Sequence, residues 1–216
     1  MLPTSDVEAL VGLGILLTAL YLQSESFVGP LVDAIALQSL LVSILLGYLA
    51  WVDHDPALAL LAGLAVAIRV LLIPYILRRQ IRAFRWRFRE LGASQRVASH
   101  ALAAVAVAIV AWFIFQQTLG PGLPPVPGGA FPFVLLLEGL LMLSTRTNTL
   151  VQVMGYLEEE NAVVYAGALF AGGFPLFLEV VIFLDVLGVV LVAVILSIQR
   201  SVVGVPEEEY LEELTG

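Results

Sequence analysis

The sequence contains no cysteine and no lysine, and all ten of its strongly basic residues are arginine. Without cysteine, the chain can form no disulfide, supply no thiolate to an iron–sulfur cluster and carry out no thiol chemistry. Charged residues make up only 13% of the chain, whereas apolar residues make up 60% and the mean hydropathy is +1.00. Soluble domains have roughly 25% charged and 45–50% apolar residues, so this composition excludes a water-soluble globular domain.

Histidine is also scarce. The two histidines, His54 and His100, are expected at helix ends, and neither has a second ligand at metal-binding spacing, so no metal site is predicted. No Ser/His/Asp set, phosphate-binding loop or dinucleotide fingerprint follows a strand, because the sequence has no convincing strand. We therefore expect the chain to bind no cofactor and not to be an enzyme by itself.

The apolar residues fall in successive blocks separated by turns that carry proline, glycine or charge. Most blocks approach the ~20 residues that an α-helix needs to cross a hydrocarbon layer of ~30 Å, and the fifth is the shortest. They lie at 7–23, 27–51, 56–77, 97–117, 131–145, 148–171 and 174–199. The sequence predicts an all-α protein, a polytopic transmembrane bundle of about seven helices.

The arginines predict the orientation of this bundle, because positive residues are retained on the cytoplasmic side of a membrane. Seven of the ten lie in the segment 78–96, after the third block. If that segment is cytoplasmic, Arg146 and Arg200 are cytoplasmic as well, and the Pro-rich loop 118–130 is outside. The N-terminus is then outside and the C-terminus inside. Aromatic residues between the arginines favour a segment lying on anionic headgroups over a nucleic-acid site.

Ionisable residues within the predicted spans are the candidate functional residues, because a charge at the bilayer centre costs roughly 2.5–3.5 kcal/mol. Carboxylates that lie close together in a medium of low polarity cannot all ionise, so a cluster of them can hold and release protons. Alternatively, Arg69 and Arg146 neutralise the carboxylates, and all of these groups only hold the helices together. The candidates for a proton pathway are Glu138, Glu159, Glu160, Glu179 and Asp185.

Other features of the same helices concern packing. Gln38, Gln152 and Asn161 are predicted to hydrogen-bond across helices, and Pro74 is predicted to kink the third helix one turn below Arg69. Successive helical residues are turned by about 100°, so Glu158 and Glu160 point about 200° apart. At least one of these two would face lipid if the chain stood alone. We therefore expect a second subunit to cover that face.

Several polar residues occur in an order that resembles the hydrogenase-4 component E family. The pattern comprises Gln152, Gly155, Tyr156, Glu160 and Asn161, followed by Pro175, Glu179 and Asp185, with upstream likeness at 36–39 and 68–74. In this resemblance Glu160, Glu179 and Asp185 match the family's acidic positions. Arg69 stands where lysine is expected in relatives, and because arginine does not deprotonate it leaves a fixed charge there. The last three helices are also similar to the K subunit of complex I.

The resemblance implies a non-catalytic subunit in the cytoplasmic membrane of a prokaryote, within a group 4 nickel–iron hydrogenase, a formate hydrogenlyase-type complex or a complex I-like assembly. Its partners would be antiporter-like membrane subunits, a redox peripheral arm and the lipid bilayer, and no nucleic acid. A purely structural subunit and an autonomous small secondary transporter are the alternatives. Against the transporter, the halves show no inverted repeat.

The chain is expected to divide into four parts. These are helices one to three with the basic segment (1–96), helix four with the outer loop (97–130), a unit of three helices similar to the K subunit (131–200) and an acidic tail (201–216).

Overall fold

The structure is a computed structural model that describes residues 4–83, 93–123, 126, 128–170, 188, 190 and 194. Every regular element in these ranges is a helix. The α-helices are α1 (Thr4–Ser24), α2 (Val28–Asp53), α3 (Pro56–Ala65), α4 (Ile73–Ala83), α5 (Ala93–Ile114), α6 (Phe131–Thr145) and α7 (Thr149–Phe170). The first six predicted blocks are therefore helical, and the seventh lies outside the described residues except for Gly188, Val190 and Val194, which are helical.

Four of these helical stretches are long and apolar enough to cross a membrane. They are Asp6–Ser24, Val28–Asp53, Pro56–Arg79 and Ala98–Gly122. Helix α6 is apolar but has only 15 residues, and α7 has 22 residues but contains three consecutive glutamates. The described part of the chain is thus all-helical, as expected of a polytopic membrane protein.

The stretch from Pro56 to Arg79 continues past Pro74 as one helix with a widened turn. Val66–Leu72 form a π-helical segment between α3 and α4, and the backbone N–H of Ile73 donates to the carbonyl of Ile68, five residues earlier. Proline has no N–H to donate, and its ring clashes with the carbonyl four residues before it. A wider turn relieves that clash without ending the helix. The π segment contains Arg69, which is buried.

Helices α6 and α7 approach each other through two glycines. A Cβ atom on Gly139 would lie 2.8 Å from the carbonyl oxygen of Gly155, and one on Gly155 would lie 3.0 Å from the carbonyl oxygen of Gly139. The two backbones are therefore in direct contact, which larger residues would prevent. The contact fixes the depth of Glu138, beside Gly139, relative to the glutamates of α7.

The apolar core has two separate parts along the bundle. One contains Ile15, Val42, Leu61, Leu135 and Ala162, and the other contains Leu31, Ile35, Ile73, Met142 and Leu157. On each of four helical stretches the chain passes from one cluster to the other across one or a few polar residues. The buried polar residues between the clusters form a layer near the middle of the bundle.

Candidate functional site

The central polar layer consists of residues from four helical stretches, all of them buried. Its members are Gln38 and Ser39 on α2, Arg69 in the π segment, Glu138 on α6, and Glu158, Glu160 and Asn161 on α7. Each lies between residues of the two apolar clusters on its own helix. An isolated charge in such surroundings is costly unless it is paired or neutralised. Each charged residue of the layer therefore needs a partner or a proton.

Arg69 and Glu160 form a buried ion pair. The Arg69 Nη2 atom lies 3.6 Å from Glu160 Oε2, and the two side chains are only 3% and 2% exposed. Gly188 also packs against the carboxylate, since a Cβ there would lie 3.1 Å from Glu160 Oε1 and 3.2 Å from Oε2. The structure thus places the predicted supporting charge against the predicted site carboxylate.

A chain of hydrogen bonds leads from Arg69 away from Glu160 to a second carboxylate. Arg69 Nη1 donates to Asn161 Oδ1 at 3.1 Å, Asn161 Nδ2 donates to Gln38 Oε1 at 3.0 Å, and Gln38 Nε2 donates to Glu158 Oε1 at 3.2 Å. Ser39 Oγ lies 3.0 Å from Asn161 Nδ2 and 3.2 Å from its Oδ1. Gln38 and Asn161, predicted as packing residues, connect two acidic groups of the layer.

Glu138 has a different environment. Its side chain is fully buried, and neither carboxylate oxygen has a hydrogen-bond donor among the described residues. Its backbone carbonyl accepts a hydrogen bond of 2.7 Å from Gln23 Nε2, and Gln23 Oε1 is buried with no donor in the same part of the chain. Glu158 Oε2 is also buried without a donor among the described residues, and Glu138 is next to Gly139, whose backbone contacts α7 at Gly155.

The expectation that Glu158 or Glu160 would face lipid is wrong. The side chain of Glu158 is 0% exposed and that of Glu160 is 2% exposed. The angular argument assumed that the helix lies at the edge of the bundle, but α7 has neighbours on several sides. Gln38 of α2 covers Glu158, and Arg69 and Gly188 cover Glu160. Glu159, the residue between them, is the one that is half-buried.

The neutralising role predicted for Arg146 stays a prediction, and the described residues show a different contact of this side chain. Its Nη2 atom donates to the backbone carbonyls of Leu22, Gln23 and Glu25 at 3.2, 2.6 and 3.1 Å. These carbonyls are at the end of α1, where a helix leaves its last carbonyls without intrahelical donors. Arg146 therefore caps α1 and ties it to the end of α6.

The remaining candidate residues lie apart from the layer or beyond the described ranges. Gln152 Nε2 donates to the Arg146 carbonyl at 2.8 Å, so it stabilises the α6–α7 turn. His54 is the C-cap of α2, whereas His100 lies inside α5. The described residues contain no metal-binding group of His, Cys, Asp and Glu side chains. Glu179 and Asp185 lie outside the described residues.

The charges of the layer do not balance within the described residues. Glu138, Glu158 and Glu160 are three carboxylates and Arg69 is one guanidinium, an excess of two negative charges if all are ionised. Neutralising the excess requires protons, metal cations or positive groups outside the described residues. The sequence singled out Glu158 as a charge within a span but did not place it among the proton-pathway candidates. Its distance from Gln38 in the chain, 120 residues, left no local signal of their contact.

The fold and the layer define an all-helical protein of membrane type with a charged interior. No known protein family matches the chain, and no solved structure matches it. The chain is similar to the uncharacterized protein Rv0085 of Mycobacterium tuberculosis (strain ATCC 25618 / H37Rv), with 29% identity over 165 residues. The matched region spans 75% of this chain and 74% of that protein.

Proposed function

We propose that the chain is a non-catalytic membrane subunit of a complex I-like or nickel–iron hydrogenase-type assembly, and that its central polar layer takes part in moving protons or Na⁺. The bundle would have about seven transmembrane helices in the cytoplasmic membrane of a prokaryote. This proposal rests on one observation: the described layer contains three buried carboxylates and only one guanidinium. A layer built only for stability would gain more from apolar side chains of similar volume.

The depth of the layer agrees with a role in translocation. Glu158 is nine residues from the start of α7 at Thr149, or ~13 Å along a helix, and Arg69 is nine residues from Arg78, also ~13 Å. In a hydrocarbon layer of ~30 Å both are close to the midplane. Groups that accept protons near the midplane are typical of membrane proton relays.

The predicted orientation has support from the positions of two arginines. Arg146 binds the carbonyls at the end of α1, and Arg78 binds Asp33, near the start of α2, at 2.6 Å. Both are therefore at the end of the bundle that contains the α1–α2 turn. One end that gathers the positive residues is what the positive-inside rule predicts for the cytoplasmic side.

The assembly part of the proposal depends on the resemblance to hydrogenase-4 component E, since burial of Glu158 and Glu160 within the chain removes the need for a partner to cover them. It is tested by tagging the chain in its native membrane, purifying it in mild detergent and identifying the proteins that accompany it. Antiporter-like subunits with hydrogenase or dehydrogenase subunits are expected. Recovery of the chain alone from intact, active membranes would contradict the assembly.

The translocation part is tested separately in membrane vesicles that contain the assembly. Glu160→Gln and Glu158→Gln should reduce ion movement per redox turnover while the redox reaction continues. Glu159→Gln is the comparison variant, because it changes the same residue type on the same helix at a half-buried position, and a smaller reduction is expected. Ion movement per turnover at the wild-type level in both Glu160→Gln and Glu158→Gln would exclude a role for the layer.

A purely structural subunit is the second candidate, and the Arg69–Glu160 pair favours it. The pair and the amides beside it join α2, the π segment and α7, as polar groups that hold helices together do. On this alternative Glu160→Gln would remove the assembly from a native gel before any change in ion movement per turnover. The two candidates therefore differ in whether Glu160→Gln first reduces ion movement per turnover or first disrupts the assembly.

A further inference from the structure

Two sides of α7 differ in how their carboxylates are neutralised. On one side Glu160 is paired with Arg69. On the other side Glu158 and Glu138 are both fully buried, and the described residues place no cation beside them. Gln23 gives this side a second, independent feature. It is fully buried and hydrogen-bonded to the backbone of Glu138, and its side-chain oxygen has no donor among the described residues. Several buried acceptor oxygens on this side of α7 therefore have no donor among the described residues.

The hydrogen-bond chain from Arg69 can run in only one direction. A guanidinium has donors and no acceptor, so Asn161 must present its oxygen to Arg69 and its NH₂ group to Gln38. Gln38 then presents its oxygen to Asn161 and its NH₂ group to Glu158. Because Arg69 cannot lose its proton, this direction is permanent.

The direction has a consequence for Glu158. Its Oε1 atom accepts an N–H from Gln38 at 3.2 Å, and in a protonated carboxyl the carbonyl oxygen is a better acceptor than the hydroxyl oxygen. A proton on Glu158 therefore belongs on Oε2, the buried oxygen that has no donor among the described residues. Glu138 is the fully buried carboxylate of the neighbouring helix, next to Gly139, whose backbone contacts α7 at Gly155. Its charge acts on Glu158 together with that of Glu159.

We infer that Glu158 and Glu138 form a proton-holding pair, with the proton of Glu158 on Oε2, and that Gln38 and Asn161 are positioning residues which impose this arrangement from Arg69. The pair is a property of the chain itself. Only its use in translocation depends on the proposed function.

The test is infrared spectroscopy of the purified full chain in lipid vesicles at neutral pH and without Na⁺. A protonated carboxyl group has a C=O stretch separate from that of a carboxylate, and it shifts in D₂O. We expect such a band, and we expect Glu158→Gln to remove its Glu158 component and Glu138→Gln to change the frequency of that component. Absence of a protonated-carboxyl band in the wild type would overturn the proposal without any variant.

The position of the proton is tested by Gln38→Leu. If Oε2 carries the proton, Oε1 is the carbonyl oxygen, and loss of its donor should raise the C=O frequency of Glu158. Asn161→Leu breaks the chain one step further away and should act in the same direction, which keeps the test available if one variant fails to fold. Gln152→Leu is the control, because Gln152 binds the α6–α7 turn, and it should leave the band unchanged.

Two further results would overturn the inference. The first is a downward shift, or none, in the Glu158 band of folded Gln38→Leu protein. The second is a band that disappears as Na⁺ is added while carboxylate absorption grows, because the pair would then bind a metal ion in preference to a proton. Failure of the translocation assay with these infrared results intact would reject only the proposed function.

Discussion

The guanidinium of Arg69 is connected to two acidic groups. It contacts Glu160 directly and reaches Glu158 through the amides of Asn161 and Gln38. A lysine in its place would present a smaller ammonium group that can lose its proton when buried. The planar guanidinium keeps its charge and holds two partners at fixed angles. Arginine at this position favours an orienting charge over a proton carrier.

Removing Arg69 should therefore cost more than removing the pair. Arg69→Met leaves Glu160 buried without its cation and is expected to destabilise the chain by about 3–5 kcal/mol. The double variant Arg69→Met/Glu160→Met should recover much of that loss, because no uncompensated charge remains. Circular dichroism during denaturation in detergent would measure both.

The control for this comparison is Arg78→Met. The Arg78–Asp33 pair has side chains that are 50% and 62% exposed, and exposed ion pairs contribute about 0–1 kcal/mol. A loss at Arg78 as large as the loss at Arg69 would contradict the importance of burial. Equal stability of the single variant Arg69→Met and the double variant would contradict the ion pair itself.

Glu25, in the turn between α1 and α2, should make stability depend on pH. Burial acts to raise the pKa of its carboxyl, but hydrogen bonds from the backbone N–H groups of Phe27 and Ser26 and from the Tyr21 hydroxyl, with the nearby charge of Arg146, hold that pKa below its usual value of 4.5. The ionised form is thus favoured in the folded chain. Its stabilising contribution is complete above the unfolded pKa and is lost as the pH falls through the folded pKa.

We accordingly expect Glu25→Gln to have a lower thermal midpoint than the wild type at neutral pH, and the difference to disappear in acid below the folded pKa. Tyr21→Phe removes one of the three donors and should give a smaller difference of the same sign. Thermal unfolding followed by circular dichroism at several pH values measures both. A difference that grows as the pH falls would have the wrong sign for this mechanism.

The sequence was informative about which residues matter and much less about what they contact. Polar residues in apolar blocks are conspicuous, so Arg69, Glu138 and Glu160 could be predicted as members of a buried site. Their partners could not, because Glu160 and Arg69 meet across 91 residues of chain. The helical angle between Glu158 and Glu160 was correct as geometry, but the number of neighbours around a helix is a tertiary property.

At the scale of the elements, the glycine contact between α6 and α7 determines how closely the carboxylates of the two helices approach. A Cβ on Gly139 would lie 2.8 Å from the Gly155 carbonyl oxygen and 3.0 Å from the Glu159 backbone nitrogen. These are backbone atoms, so the helices would have to separate. Gly139→Ala is expected to destabilise the chain by about 1–3 kcal/mol and to alter the infrared band of the Glu138–Glu158 pair.

Gly63→Ala is the matched control for that prediction. Gly63 is also within a helix, α3, but a Cβ there would meet nothing within 4 Å. Alanine favours a helix by about 1 kcal/mol relative to glycine, so this variant should be neutral or stabilising. Denaturation in detergent would compare the two, and equal effects would contradict a backbone contact between α6 and α7.

Hydropathy predicted the elements themselves well, because apolar blocks bounded by turn residues leave few alternatives. The block 131–145 matches α6 in both bounds. The π-helical segments Val66–Leu72 and Phe115–Leu119 could not be predicted in this way. In a π-helix each N–H donates to the carbonyl five residues earlier, and in an α-helix to the carbonyl four residues earlier. Hydropathy does not distinguish the two patterns. The helices after Phe170 remain a prediction.

For the whole molecule, the orientation can be tested simply because the natural chain has no cysteine. Single cysteines can be introduced as Asp53→Cys, at the end of α2, and as Thr147→Cys, between α6 and α7, both at exposed positions. A membrane-impermeant maleimide added to intact cells should label the first and not the second. Thr147→Cys should react only after the membrane is opened. The reverse pattern would place the arginine-rich end outside.

The layer also has a consequence for how the chain enters the membrane during synthesis. Helix α7 has three glutamates, and each acidic residue at the bilayer centre costs roughly 2.5–3.5 kcal/mol. Gln38 and Arg69, which neutralise or bind two of these residues, belong to earlier helices and leave the ribosome first. The acidic helix can then insert against partners that are already in the bilayer, so the order of the helices along the chain becomes an order of assembly.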